Sequence, residues 1–429
     1  VKKDSQQLGL FSATALVVAS MIGTGVFTTS GFLLSDLGSK PLVLGAWVAG
    51  GIVAIFGAIC YGALARRIPE SGGEYLFLAR TLHPAAGYLA GWVSLLVGFS
   101  APLAAAAVAF GEYTRPWFAG TEPRILATIL LLLFTFAHAW EVRAGAHIQN
   151  LSVVLKVLFL LVFLVLGTTR LQLRPEAVTT SASVGAFAVS LVWISFSYSG
   201  WNAAIYLSSE IRDAKRNVPR AMIFGTSIVM LLYFALNAFI IFSTPAAALK
   251  GQLEVGRIAA KELGGVVWEN AITAIIGLAL ATSVSSLIMS GPRVYARMAA
   301  DGYLPKWLRP EGNGFRSAIW FQTAIGLALV WTATFKTLLT YIGFTLSLST
   351  AAAVVGLIKL KRSEGEAIRV IGWPWIPGLF VAFVFFSAGF TIFRQPVEAA
   401  LGATTLIVGI AAYKLQESRG VRRNKMFHL

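Results

Sequence analysis

The feature that most constrains this chain is a succession of twelve apolar runs joined by short polar segments. They fall at roughly 10–34, 41–65, 84–113, 122–140, 147–168, 183–208, 220–244, 264–298, 316–335, 338–360, 373–392 and 396–415. A helix of about 20 apolar residues is what a hydrocarbon layer about 30 Å thick demands. One such run can be a buried core helix, but a dozen cannot, because no soluble core is large enough to cover them. Composition agrees: 57% of residues are hydrophobic and 13% charged, against about 25% charged in a soluble domain. Backbone groups facing lipid must be paired within their own segment, so the runs are read as helices. A barrel would need alternating strands of about ten residues, and the sequence has no such pattern. The fold class predicted is an all-α membrane protein whose 429 residues form one transmembrane unit in a lipid bilayer, with no soluble domain.

The formal net charge is +16. A basic chain can bind nucleic acid, but that needs a basic stripe on a folded surface. Here Lys and Arg sit in the joints between spans, where they act as topology signals. With the N-terminus inside, 24 of the 35 cations fall on inside joints and ten on outside ones. The cytoplasmic side carries the excess, so both termini are placed there, in a cell membrane. No nucleic-acid partner is expected. Cys60 is the single cysteine, so no intrachain disulfide or thiolate cluster can form. The four histidines are scattered, and neither a metal nor a cofactor is expected. An enzyme would need clustered buried His, Asp or Cys, so none is predicted.

Two of the spans are interrupted. The first reads Ser20-Met21-Ile22-Gly23-Thr24-Gly25-Val26-Phe27. Glycine is a poor helix former, so Gly-Thr-Gly at mid-span is a place to unwind. An unwound stretch leaves amides and carbonyls free, which lipid tolerates only where they line a cavity. Amides at the start of a half-helix can hold a carboxylate. Close packing through small residues accounts for the motif equally well when it stands alone. It is not a dinucleotide fingerprint, because Thr28 stands where the third glycine belongs. The sixth span carries a second break, Phe196-Ser197-Tyr198-Ser199-Gly200-Trp201-Asn202. Spans 1 and 6 hold equivalent positions in two blocks of five, and matched breaks of that kind point to a binding site at the membrane midplane.

Lys156 lies inside the fifth span. An ammonium there costs roughly 2.5–3.5 kcal/mol on insertion scales, so it requires a partner or a task. Snorkelling to the cytoplasmic surface is the plain alternative. The functional one is a built-in cation that replaces a bound sodium ion or carries a proton, since burial lowers a lysine pKa. Thr282, Ser283, Ser285 and Ser286 of span 8 are the candidate partners, Ser283 and Ser286 foremost.

Taken together, Gly23-Thr24-Gly25, the run Arg67-Ile68-Pro69-Glu70-Ser71-Gly72-Gly73-Glu74-Tyr75, the run from Glu210 to Ala221, and Arg293 through Gly302 resemble the amino acid–polyamine–organocation (APC) superfamily. Gly200-Trp201-Asn202 followed by Arg216-Asn217-Val218-Pro219-Arg220 is similar to its L-type amino-acid transporter branch. Spans 9–12 add only hydropathy. The resemblance implies twelve helices in a five-plus-five inverted repeat, the LeuT-like fold: residues 10–168, residues 183–360, and two accessory helices over 373–415. It implies α-amino acids as substrates, moved by exchange or proton-coupled uptake, and it sets Lys156 where sodium-independent relatives have their lysine.

By the same resemblance, the substrate carboxylate meets backbone around Ser20, Gly23, Thr24 and Gly25. Its ammonium meets carbonyls near Met21, Phe196 and Ser199, with Phe196 as gate and Gly200 and Asn202 completing the site. Two broken helices can serve both ends of a zwitterion without buried side-chain charge. Ser199 replaces a family glycine and narrows the pocket. Cation-handling relatives carry an acid where Asn202 stands, and no acid appears at mid-span beside either break, so neutral amino acids are expected. A proton-coupled carrier of cationic amino acids or polyamines is the alternative, and a membrane amino-acid sensor is a remoter one, since only a short tail follows span 12. Members that pair with a glycoprotein use a cysteine between spans 3 and 4. Residues 114–121 hold none, so no disulfide-linked partner is expected.

Overall fold

The computed structural model describes residues 8–140, 158, 160–162, 164–165, 182–309 and 315–418. Lys156 lies outside them. The described residues form helices joined by turns and short loops and contain no strand, only an isolated bridge between Leu8 and Ile211. Among the described residues, eight helices are long and apolar enough to cross a membrane, and a bent pair makes a ninth.

That pair is α1 (Leu10–Met21) and α2 (Gly25–Leu37), bent by 44° at the first break. α3 (Lys40–Arg67) follows, with a proline in its first turn, where a missing amide costs nothing. A short α4 (Gly73–Thr81) fills the joint before α5 (Pro84–Val93). α5 runs through a π-helical stretch, Ser94–Ser100, into α6 (Ala101–Thr114). Pro102 explains this register shift, since its ring would clash with the carbonyl one turn earlier. The hydroxyls of Ser100 (2.8 Å) and Tyr295 (3.1 Å) both donate to the Leu95 carbonyl beside the shift.

α7 (Pro123–Trp140) precedes the second broken element. There α8 (Val184–Ser197) starts at Ser183, whose hydroxyl accepts the Ala186 amide, and gives way to a turn and a 3-10 stretch, Ala203–Glu210. α9 (Ala214–Ser243) and α10 (Val255–Ala300) come next, the latter kinked at Gly264 and Gly265. α11 (Arg316–Thr332), α12 (Phe335–Glu364), α13 (Trp375–Arg394) and α14 (Pro396–Ser418) complete the order.

Contacts between the joints fall into two sets, each on its own face. On one face Leu8 pairs with the 210–212 backbone, Ser71 bonds to Ser209 (2.7 Å), and Arg67 pairs with Glu364 (2.8 Å). On the other, Lys40 donates to the Thr244 carbonyl (2.9 Å), Lys336 meets Asp36 (3.7 Å), and the Gly251 amide donates to the Gly31 carbonyl (2.9 Å).

Between these faces lies one large apolar core, stitched by a few buried polar contacts. Fully buried Asn237 of α9 is at the centre of one of them. Its amide donates to the Tyr233 carbonyl (2.8 Å) and its oxygen accepts the Ser30 hydroxyl of α2 (2.5 Å). The Trp47 indole of α3 donates to Ser30 in turn (2.9 Å). Removing one member strands a buried donor, which costs about 1–3 kcal/mol. Asn237→Leu is expected to lower the melting temperature in detergent. Adding Ser30→Ala should not restore it, because the buried Trp47 indole then loses its acceptor.

Candidate functional site

The two breaks meet face to face. Gly200 has φ +101°, and a Cβ there would sit 2.6 Å from the carbonyl oxygen of Ser20 and 3.1 Å from the amide of Met21. A Cβ on Gly25 would run into the Ser197 side chain and lie 2.5 Å from its Cα. Each interrupted helix therefore contributes one glycine whose bare backbone lies against the other. Gly23 is different: a Cβ there would meet little but the Met21 carbonyl at 3.8 Å.

Side chains hold this crossing. α1 ends as the Ile22 amide closes on Val18, and Ile22 itself turns to an extended conformation (φ −71°, ψ 90°). Tyr233 of α9 spans the gap. Its hydroxyl donates to the Met21 carbonyl (2.6 Å) and faces the Gly23 amide. Thr29 and Ser197 share a hydrogen bond across the crossing (2.9 Å). Tyr198 donates to the Trp47 carbonyl (3.2 Å), and its ring lies 5.1 Å from Tyr233 and 6.0 Å from Trp47. α2 opens at the crossing with the Phe27 amide closing on the Thr24 carbonyl (3.2 Å), and a helix N-terminus carries a partial positive charge.

The residues that sequence singled out take these places. Ser20 is exposed, with its hydroxyl donating to Leu16 of its own helix (2.8 Å). Met21, Thr24, Gly25 and Phe196 are buried, and Gly23, Ser199, Gly200 and Asn202 are half-buried. The Ser199 amide donates to the Phe196 carbonyl (2.9 Å). In α10, Thr282 and Ser283 both donate to Ala279 of their own helix (2.9 Å each), and Ser285 bonds to His138 (2.8 Å). Ser286 is half-buried. Any link from these hydroxyls to Lys156 lies outside the described residues.

Asn202 has a neighbour that its sequence position conceals. Its side-chain amide donates to Oε1 of Glu74, 3.0 Å away. Glu74 comes from α4 in the joint 66–83 and is 5% exposed. Tyr61 also donates to Oε1 (2.9 Å), and Ser349 of α12 approaches Oε2 at 3.4 Å. Sequence places no acid beside either break at mid-span. The folded joint carries one to the second break from below. Burial pushes the Glu74 carboxyl above its usual range, against the downward pull of its Tyr61, Ser349 and Asn202 donors. Tyr233, likewise missed, is an aromatic in an apolar span and gives no sign of its task. No group of three His, Cys, Asp or Glu fit to hold a metal occurs among the described residues.

Comparison with known proteins spans nearly the whole chain. Residues 8–412 match the family model described as amino acid permease. The mouse large neutral amino acids transporter small subunit 2 is 28% identical over 430 residues, spanning 96% of this chain and 81% of that protein. The human Asc-type amino acid transporter 1 is 26% identical, over 96% of this chain and 82% of that protein. The mouse b(0,+)-type amino acid transporter 1 is 25% identical, over 96% and 88% respectively. These relatives are transporters, not enzymes.

Proposed function

The chain belongs to the amino acid permease family, and from that premise we propose that it is a sodium-independent transporter or exchanger of neutral L-amino acids. It works by alternating access around the crossing of its two broken helices. The observation that carries this reading is the contact of the breaks, Gly200 on the Ser20 carbonyl and Gly25 on Ser197. That contact brings the amides opening α2 beside carbonyls at the end of α8, the pairing that a zwitterion needs. The substrate carboxylate is assigned to Ser20, Gly23, Thr24 and Gly25, and the ammonium to carbonyls of Met21, Phe196 and Ser199. Phe196 serves as the gate, with Gly200 and Asn202 beside it. Relatives named for neutral amino-acid transport support the substrate class.

The twelve-helix, five-plus-five arrangement with repeats over 10–168 and 183–360 and accessory helices over 373–415 belongs to the same proposal, as do a cell-membrane location and cytoplasmic termini. Lys156 is assigned the place of a coupling cation, with Ser283 and Ser286 as its partners. Cys60 is buried within α3, a poor position for a disulfide to another chain.

The test is uptake of labelled amino acids by proteoliposomes. Neutral amino acids should enter without a sodium gradient, in exchange for internal amino acid or down a proton gradient. A panel including lysine and arginine distinguishes the cationic alternative. Absence of uptake for every amino acid under both conditions would sink the reading.

A further inference from the structure

Among the described residues, Glu74 is a buried acid with no Lys or Arg partner, and the substrate reading leaves it without work. It stands where four elements of the described structure converge on the face that gathers residues 8, 71, 209 and 364. From α3 comes Tyr61, its ring 4.7 Å from Trp201 and 5.8 Å from Phe77. From the second break come Trp201 and Asn202, and from the 3-10 stretch Tyr206, whose ring lies against Gly73 so closely that no Cβ fits there. From α12 comes Ser349. The titratable groups that face the carboxyl are Tyr61 and Tyr206, and no described Lys or Arg side chain pairs with it.

The two oxygens are not equivalent. Oε1 receives two full hydrogen bonds, from Tyr61 at 2.9 Å and Asn202 at 3.0 Å. Oε2 has only the Ser349 hydroxyl at 3.4 Å, a group that can accept as readily as donate. A proton on Oε2 would donate to Ser349 Oγ and leave both bonds at Oε1 untouched.

We infer that Glu74 Oε2 is a proton-binding site whose occupancy closes the passage between the second break and this face. The inference rests on the transport reading, because it needs this face to open. Opening separates the turn at Asn202 from α3 and α12, which hold the other two donors. Water then reaches the carboxyl, and the charged form regains its hydration. In the closed arrangement burial favours the neutral form. The bond made on closure is O–H at Oε2, the proton comes from water on this face, and it returns there on opening. The sign follows by linkage. A carboxyl whose closed-state pKa lies above its open-state pKa stabilises closure fully below the open-state value. That contribution is lost as pH rises through the closed-state value.

Hydrogen exchange read by mass spectrometry tests this on the full chain in lipid nanodiscs, with no amino acid added. The peptides to follow cover 68–82 and 200–212, with rates corrected for the intrinsic pH dependence. In the wild type, protection should fall by about tenfold or more from about pH 5 to pH 8, as a buried group releases its proton. Glu74→Gln keeps both acceptor contacts and donates to Ser349, mimicking the protonated state, and should stay protected throughout. Tyr61→Phe removes a donor that favours the charged form and should move the midpoint to higher pH. Equal pH profiles in wild type and Glu74→Gln overturn the inference. If Glu74→Gln does not fold, an unmoved midpoint in Tyr61→Phe overturns it. The reading needs no substrate. A Glu74-dependent profile in a protein that moves no amino acid therefore supports the proton site and refutes transport alone.

Discussion

Gly200→Ala is expected to abolish transport, to below about one hundredth of the wild-type rate, a loss worth roughly 2.7 kcal/mol. Two separate costs fall on this methyl group. The backbone at Gly200 has φ +101°, a region that L residues occupy only with strain of about 1–3 kcal/mol. The Cβ would also press on the Ser20 carbonyl at 2.6 Å. That carbonyl is backbone, with no rotamer by which to move aside, so the two broken helices must separate. A control divides the two costs. Gly251 has φ +73° and nothing within 4 Å of a Cβ, so Gly251→Ala suffers only the backbone strain. It should lower the melting temperature modestly and leave uptake near normal. If Gly200→Ala behaves like Gly251→Ala in both assays, contact between the breaks is not what transport requires.

Sequence made these breaks visible because glycine and serine clusters inside an apolar run conflict with the helix that the run otherwise specifies. Their juxtaposition was an expectation from repeat symmetry, and the Gly200–Ser20 and Gly25–Ser197 contacts give it a physical form. Hydropathy was less informative about where helices stop. The run drawn over 183–208 is helical only to Ser197, because a tight turn and a 3-10 stretch are as apolar as a helix. The run drawn from 264 begins at a kink, since the preceding turns of the same element, from Val255, carry Arg257, Lys261 and Glu262 and read as a joint. Pro102 in span 3 registers as one residue among many, yet it accompanies a π-helical stretch that turns Leu95 toward Ser100 and Tyr295.

The contacts that sequence could not supply are those joining distant segments through ordinary residues. Glu74 sits in a Gly-Gly-Glu-Tyr stretch that looks like a solvated joint. Only the fold brings it to Asn202, 128 positions away, and to Ser349, 275 away. Tyr233 reads as one more aromatic facing lipid or core until the bend at Ile22 presents the Met21 carbonyl to its hydroxyl. In both cases the signal lies in a partner rather than in a motif.

Arg257→Leu should produce the second large effect, this time on stability and on the face opposite Glu74. Arg257 donates to Glu254 (2.6 Å) and to Glu269 (2.7 Å), linking the start of α10 to the turn beyond its kink at Gly264 and Gly265. The three side chains are only 18%, 18% and 12% exposed, and Lys261 reaches Glu269 more loosely at 3.6 Å. The same stretch is fixed over the first break, because the Gly256 amide donates to Tyr113 (3.2 Å), which donates to the Phe27 carbonyl of α2 (2.6 Å). Removing one partner of a buried ion pair costs about 3–5 kcal/mol, because an uncompensated charge remains. Partial exposure reduces this to roughly 2–3 kcal/mol here. The loss should therefore appear as a melting temperature several degrees lower. It should shrink when Glu269→Gln is added, since the second substitution removes a charge that the first left unpaired. Additive losses in the double variant would mean that Arg257 acts through packing of its stem, and that the two acids do not depend on it.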